Sequence, residues 1–299
     1  MRADAQLSKG DLILTLRLSL LRRRRALRRL WQDAPLSVLG GIGVIGFLLL
    51  ALIGPYLTPY NPIANSFADR NQAPSLAHPF GTDNFGRDIL SRIIYGGRNI
   101  FALTGSATLI AVGLGTVIGL YVGYVGSWLD QIAMRLTDAL LALPSLLLTL
   151  VLLGALGNSR FTVLLAIVIL YVPIVTRVVR SVVLDVKTKA YIEAAEIGGE
   201  SRFHILFREI LPAVLPTLAV EGALRFSYAI FLVASLGFLG LGVARPEPDW
   251  GLMVSEARDW YALSPHMLFF PSAAIVALVV CVNLMADGLR RLLEYSETD

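Results

Sequence analysis

An all-α protein that crosses a membrane with six helices is the fold class this sequence predicts, on three observations. Hydrophobic residues fill 56% of the 299 positions, charged ones only 16%, and the mean hydropathy is +0.67. A soluble domain of this size has no interior large enough for so much apolar surface. The apolar residues gather into six stretches set apart by glycine, proline and charge, and lysine and arginine concentrate on one set of connecting segments, the asymmetry of a chain threaded through a bilayer.

Taken in order, residues 1–35 form a basic segment containing Arg22, Arg23, Arg24, Arg25, Arg28 and Arg29. An arginine run directly before an apolar stretch fits a cytoplasmic flank attracted to anionic lipid headgroups, and it does not point to nucleic acid. Residues 11–30 alternate leucine with arginine, the pattern of an interfacial helix or of a solvated tail. The first span, 36–57, carries no charge and is ~33 Å long at the helical rise. It exceeds a cleaved signal's apolar region and is expected to remain as an anchor. Further spans are expected at about 99–126, 140–156, 161–175, 213–236 and 267–286, within one membrane domain of residues 36–292. Even parity puts both termini in the cytoplasm, with 293–299 as a tail. Arg177, Arg180, Lys187, Lys189, Arg202 and Arg208 make the 177–212 loop cytoplasmic, and Arg290 and Arg291 follow the last span. Segments 58–98 and 243–265 are then external.

Local chemistry refines this plan. Gly115, Gly119 and Gly123 recur every four residues and form a smooth stripe for close helix packing. Pro144, Pro173 and Pro216 remove backbone donors near or within spans and are places for kinks. In the segment 78–98, Asp83 is a candidate helix cap and Asp88 and Arg92, four apart, a candidate pair. Ile89, Leu90, Ile93 and Ile94 line one apolar face, which predicts a helix lying flat on the membrane or on neighbouring spans.

Two charged features stand out. Glu221 and Arg225 fall mid-span at i, i+4, so their charges can neutralise each other; they face either a translocation cavity or subunit interface, or a packed helix contact. Asn283 with Asp287, and Asp130, Arg135 and Asp138, form smaller polar groups near the cytoplasmic side. Residues 191–216 are a charged insert between two spans. Glu193, Ala194 and Ala195 favour helix, Gly199 permits a turn, and Pro212 suits the first turn of a new helix. Small residues there leave room for a soluble partner to approach closely; an ordinary amphipathic loop is the plainer reading.

The insert resembles the EAA loop of ABC-importer permeases, matching at Glu193, Ala194, Ala195, Gly199, Leu211 and Pro212 and departing at Glu209, where that pattern has isoleucine. The resemblance sharpens with GTD-x-x-GRD-x-LSR (Gly81, Thr82, Asp83, Gly86, Arg87, Asp88, Ser91, Arg92), ASLGFLGLG at 234–242, P-x-P-x-WG at 246–251 and DGLR at 287–290. Together these are similar to the dipeptide, oligopeptide and nickel permease family over residues 36–292, with Val233 and Ala286 as departures. The resemblance implies a type I importer architecture, alternating access, and a peptide substrate, with nickel chelates or other small solutes as the alternative. It further implies a second homologous permease in a heterodimer, two cytoplasmic ATP-binding subunits and an external substrate-binding protein. ATPase coupling would fall to Glu193, Ala194, Ala195, Gly199 and Arg202, moving as a rigid lever. No cofactor is expected on this chain, ATP and Mg being used by the partner subunits.

Other classes have less support. There is no G-x-x-x-x-G-K-[ST] phosphate loop, no H-E-x-x-H pair and no G-x-S-x-G elbow, and His78, His204 and His266 are scattered. The single Cys281 forms neither an intramolecular disulfide nor a cysteine metal cage. No catalytic or metal site is therefore expected. A proton-coupled secondary transporter is the rival, because a carboxyl group in a span can carry protons.

Overall fold

A computed structural model describes residues 34–242 and 245–296, so the arginine-rich segment up to residue 33 and the last three residues lie outside the described residues. The described chain is helical, without a β-strand. In chain order the helices are α1 (Pro35–Leu57), α2 (Ile89–Val125), α3 (Ser127–Leu141), α4 (Ser145–Leu156), α5 (Arg160–Val186), α6 (Ala190–Ile197), α7 (Arg202–His204), α8 (Leu211–Phe238), α9 (Trp250–Ala257) and α10 (His266–Ser296). A π-helical stretch, Ile205–Ile210, joins α7 to α8. By length and composition α1, α2, α5, the run Arg202–Phe238 and α10 can each cross a membrane, and the α3–α4 pair makes a sixth if taken as one span.

Two expectations need correction. Ile89 to Arg98 do not form a flat surface helix; they are the first turns of α2, whose 37 residues extend ~56 Å. Ile89 and Ile93 are buried with Trp250, Met253, Met267 and Leu278. The third span is not a straight helix over 140–156. It is broken at Pro144 with an 89° bend between α3 and α4, because proline has no N–H to continue α3 and restricts the residue before it. Pro212 sits in the first turn of α8, as expected, although helical winding already runs from Arg202 through the π stretch rather than starting anew at the proline.

The centre of the bundle is the α2–α5 pair. A Cβ on Gly115 or Gly119 would fall 2.7 Å from the Cβ of Val175 or Val179, and one on Gly123 would fall 2.9 Å from that of Val183. The glycine stripe thus lets α5 lie against the α2 backbone, and Thr176 donates to the Gly115 carbonyl at 3.3 Å. α8 and α10 pack around this pair. Outside them α1 exposes leucine and isoleucine along most of its length, as a lipid-facing helix does, and meets α10 where Gly40 and Gly43 approach Leu284 and Cys281. α3 is tied to α5 by ion pairs from Asp130 to Arg180 and from Asp138 to Arg177.

Candidate functional site

The two ends of α2 carry the two motif regions. At its C-terminal end, α5 passes through Lys187–Lys189 into α6, whose inward anchor is Ile192, 1% exposed and packed with Ile205 and Ile210. Glu193 and Ala194 point outward. Around them stand Ile197 and Phe203, 80% and 71% exposed, and Tyr191. α6 stops because Gly199 takes φ +75°, a conformation glycine adopts without penalty, and the Glu200 N–H returns to the Ala195 carbonyl at 3.1 Å. Ser201 then caps α7, accepting from the His204 N–H at 3.2 Å. Arg202 consequently belongs to the helix after the turn rather than to α6, and the expected lever from Glu193 to Arg202 is two pieces joined at a glycine turn. The result is a small, solvent-facing hairpin of apolar and acidic side chains anchored chiefly by Ile192.

At the other end of α2 lies an ion cluster. Asp88, not Asp83, caps α2: it accepts from the Ser91 N–H at 2.8 Å and the Ser91 hydroxyl at 2.7 Å, and His78 Nδ1 sits 3.0 Å from its other oxygen. This capping replaces the expected Asp88–Arg92 pair, since a carboxylate that folds back onto the first turn of its own helix points away from the residue one turn on. Asp83 instead shapes the preceding turn, accepting from the N–H groups of Phe85 and Arg87 and from Arg87 Nε at 2.6 Å. Arg92, 1% exposed, approaches Asp83 at 3.6 Å and Glu256 at 3.7 Å, and donates to the Pro62 carbonyl at 3.0 Å. Arg87 and Arg245 complete the set by donating to Glu256 at 3.1 and 2.9 Å. Thr82 accepts from the Gln72 N–H at 2.9 Å. Gly81 and Gly86 both take positive φ, and a side chain on Gly86 would strike the Ser66 carbonyl. The motif residues Thr82, Asp83, Arg87, Asp88, Ser91 and Arg92 are all buried. The segment is thus an internal clasp joining the α1–α2 connection to α9.

Sequence reasoning did not single out Glu256 or Asp249. Asp249 caps α9 by accepting from the Leu252 N–H at 2.8 Å. Burial pushes its carboxyl above the ordinary value, against the opposing pull of backbone N–H groups and nearby arginines. Its place directly before the Trp-Gly pair was the signal in the sequence. Glu256 had none, being 169 residues from Arg87.

Glu221 and Arg225 meet within α8, with Arg225 Nε 2.8 Å from Glu221 Oε1. The N–H is not aimed at that oxygen, so this is a charge pair without an aligned hydrogen bond. Arg225 also lies over the rings of Tyr228 and Tyr171, 4.9 and 5.6 Å from their centroids. Both charged side chains are largely but not fully buried. Asn283 donates to Ser227 at 3.0 Å, joining α10 to α8, while Asp287 is exposed.

Helices of spanning length around a glycine-packed pair, a clasp at one end and a projecting hairpin at the other define a polytopic membrane protein. The chain belongs to the family of binding-protein-dependent transport system inner membrane components, whose profile matches residues 115–296. The N-terminal TM domain of oligopeptide transport permease C matches residues 22–74. Relatives include the dipeptide transport system permease protein DppC of Alkalihalophilus pseudofirmus, 40% identical over 91% of this chain and 89% of that protein. The glutathione transport system permease protein GsiD of Pectobacterium atrosepticum is 37% identical over 91% and 93%. The probable D,D-dipeptide transport system permease protein DdpC of Escherichia coli is 38% identical over 88% of each. The chain is accordingly a multi-pass inner-membrane permease component that works with an ATPase and a substrate-binding protein.

Proposed function

We propose that this chain is one of two permease subunits of an ATP-driven importer of di- and oligopeptides, working by alternating access. The observation that carries the coupling assignment is the α6 hairpin, which presents Glu193 and Ala194 outward beside Ile197 and Phe203 while holding to the bundle through Ile192. Exposed apolar groups rimmed by charge on a short helix are the surface a soluble partner packs against. In this reading the partner is one of two ATP-binding subunits, ATP and Mg belong to those subunits, and both termini of this chain are cytoplasmic. The chain itself catalyses no reaction.

The peptide substrate is supported by relatives named for dipeptide and glutathione transport. A second permease in a heterodimer is supported by the face of α8 carrying Tyr228, Phe231 and Phe238, which is exposed in a single copy. An apolar groove of about 390 Å³ runs beside it, lined in part by Leu146, Phe231, Ser235 and Val276. The rival reading, a proton-coupled carrier, has Glu221 as its candidate carboxyl, which in α8 lies beside Arg225.

Reconstitution tests the reading. The chain, its second permease and its ATPases in proteoliposomes should take up a radiolabelled dipeptide only when ATP and the loaded binding protein are both present. Uptake without the ATPases, driven by a proton gradient, would contradict it.

A further inference from the structure

The Tyr124 hydroxyl, at the last turn of α2, donates to Glu196 Oε1 on α6 at 2.7 Å. Nothing else in α6 makes a directional side-chain bond to the bundle among the hydrogen bonds of the described residues. The Ile192 contact is apolar, and apolar contact attracts without fixing register. One turn before α6, Lys187 Nζ donates to the Gly123 carbonyl at 3.1 Å, so the same end of α2 is gripped twice. Gly123 also closes the stripe along which α2 and α5 touch. On its far side α6 ends in the Gly198–Gly199 turn, where a Cβ on Gly199 would meet nothing within 4 Å. Thus α6 is keyed to the α2–α5 pair on one side and joined to α8 through an unpacked glycine turn and the π stretch on the other.

We propose that Tyr124 is a positioning residue for coupling: its bond to Glu196 fixes α6 in register on α2, so that displacement of α6 is delivered to the α2–α5 pair. This rests on the ATPase-coupling reading of α6. Tyr124 lies on α2, apart from the outward group of Glu193 and Ala194, and acts through α6 rather than on a partner or substrate. Loss of the bond leaves α6 attached by Ile192 and by the chain, free to slide when pushed. Part of each ATPase stroke is then absorbed by that slippage.

The test measures dipeptide transported per ATP hydrolysed in the complete reconstituted complex, using radiolabelled alanyl-alanine. Tyr124→Phe and Glu196→Ala should each lower this ratio about two- to tenfold, the range for losing one hydrogen bond, while the ATPases still co-purify in wild-type amount. Glu196→Gln, which keeps an acceptor oxygen, should retain most of the ratio, and Tyr124→Phe/Glu196→Ala should be no worse than either single variant. Glu196 is exposed, so its variants test the bond even if Tyr124→Phe folds poorly. A wild-type ratio in Tyr124→Phe and Glu196→Ala, or full additivity in the double variant, overturns the role of Tyr124 and leaves the importer reading standing. Absence of ATP-dependent uptake in the wild-type complex overturns the importer reading instead, and this inference with it.

Discussion

Trp250 donates its indole N–H to the Ile93 carbonyl at 2.8 Å, and its ring covers Gly96 and Gly97 on α2. A side chain on Gly96 would begin 2.7 Å from Trp250 Cδ1, and Trp250 is 1% exposed. The tandem glycine of α2 and the tryptophan that opens α9 are therefore the two halves of one joint. Gly96→Val should force the ring out of its slot and lower stability by about 1 to 3 kcal/mol. Thermal unfolding of the detergent-purified complex checks this; an unchanged midpoint would mean that the joint does not hold α9.

Arg92 is a buried charge at the heart of the clasp, beside Asp83 and Glu256, which Arg87 and Arg245 also compensate. Arg92→Ala should destabilise by about 1 to 3 kcal/mol, because it leaves the buried Pro62 carbonyl without its donor while Arg87 and Arg245 still compensate Asp83 and Glu256. Arg92→Lys should recover only part of the loss, since an ammonium does not reach Pro62, Asp83 and Glu256 from one planar fork. Expression and unfolding of the two variants give the order; equal stability of wild type and Arg92→Ala would show the cluster to be ornamental.

How much of this was legible in the sequence depends on the range of each contact. The class, the approximate spans and the glycine stripe followed from composition and from four-residue spacing, which act locally along a helix. Ile89 and Ile93 show where such reasoning stops: their spacing specifies an apolar face but not whether lipid headgroups or Trp250 and Met253 cover it. The Asp88–Arg92 pairing failed because a cap and an i, i+4 pair compete for the same carboxylate, and the free N–H and hydroxyl of Ser91 won. Pro144 was a visible place for a kink, but nothing local in the sequence specified an 89° bend, which is settled in the tertiary fold, where α3 also pairs with α5 through Asp130 and Asp138. Glu256 was invisible because its partners arrive only with the tertiary fold.

For Glu221 and Arg225, loss of either partner leaves an intramembrane charge uncompensated, at about 2.5 to 3.5 kcal/mol on insertion scales. Both single alanine variants should assemble poorly, and the double alanine variant should assemble better than either. Co-purification of the complex measures this. If the double variant is as damaged as the two singles summed, the 2.8 Å approach carries no coupling energy.

Orientation is open to direct labelling. Ser91 is fully buried and unsuited to a probe, but Leu76 on the same connection is wholly exposed. In a Cys281→Ala background, Leu76→Cys should react with a membrane-impermeant thiol reagent added outside, and Ser201→Cys only when it is added inside. The reverse pattern would contradict cytoplasmic termini and a cytoplasmic α6.

Coupling through α6 is the central claim, and Glu193 tests it most directly because its side chain faces outward while Ile192 beside it holds the helix to the bundle. The measurement is ATP hydrolysis by the reconstituted complex, with and without loaded binding protein, for wild type and Glu193→Lys. Charge reversal on a contact surface should weaken ATPase docking and abolish most of the stimulation, while membrane insertion and bundle stability stay at wild-type values. Wild-type stimulation in Glu193→Lys would contradict the assignment of α6 as the coupling element.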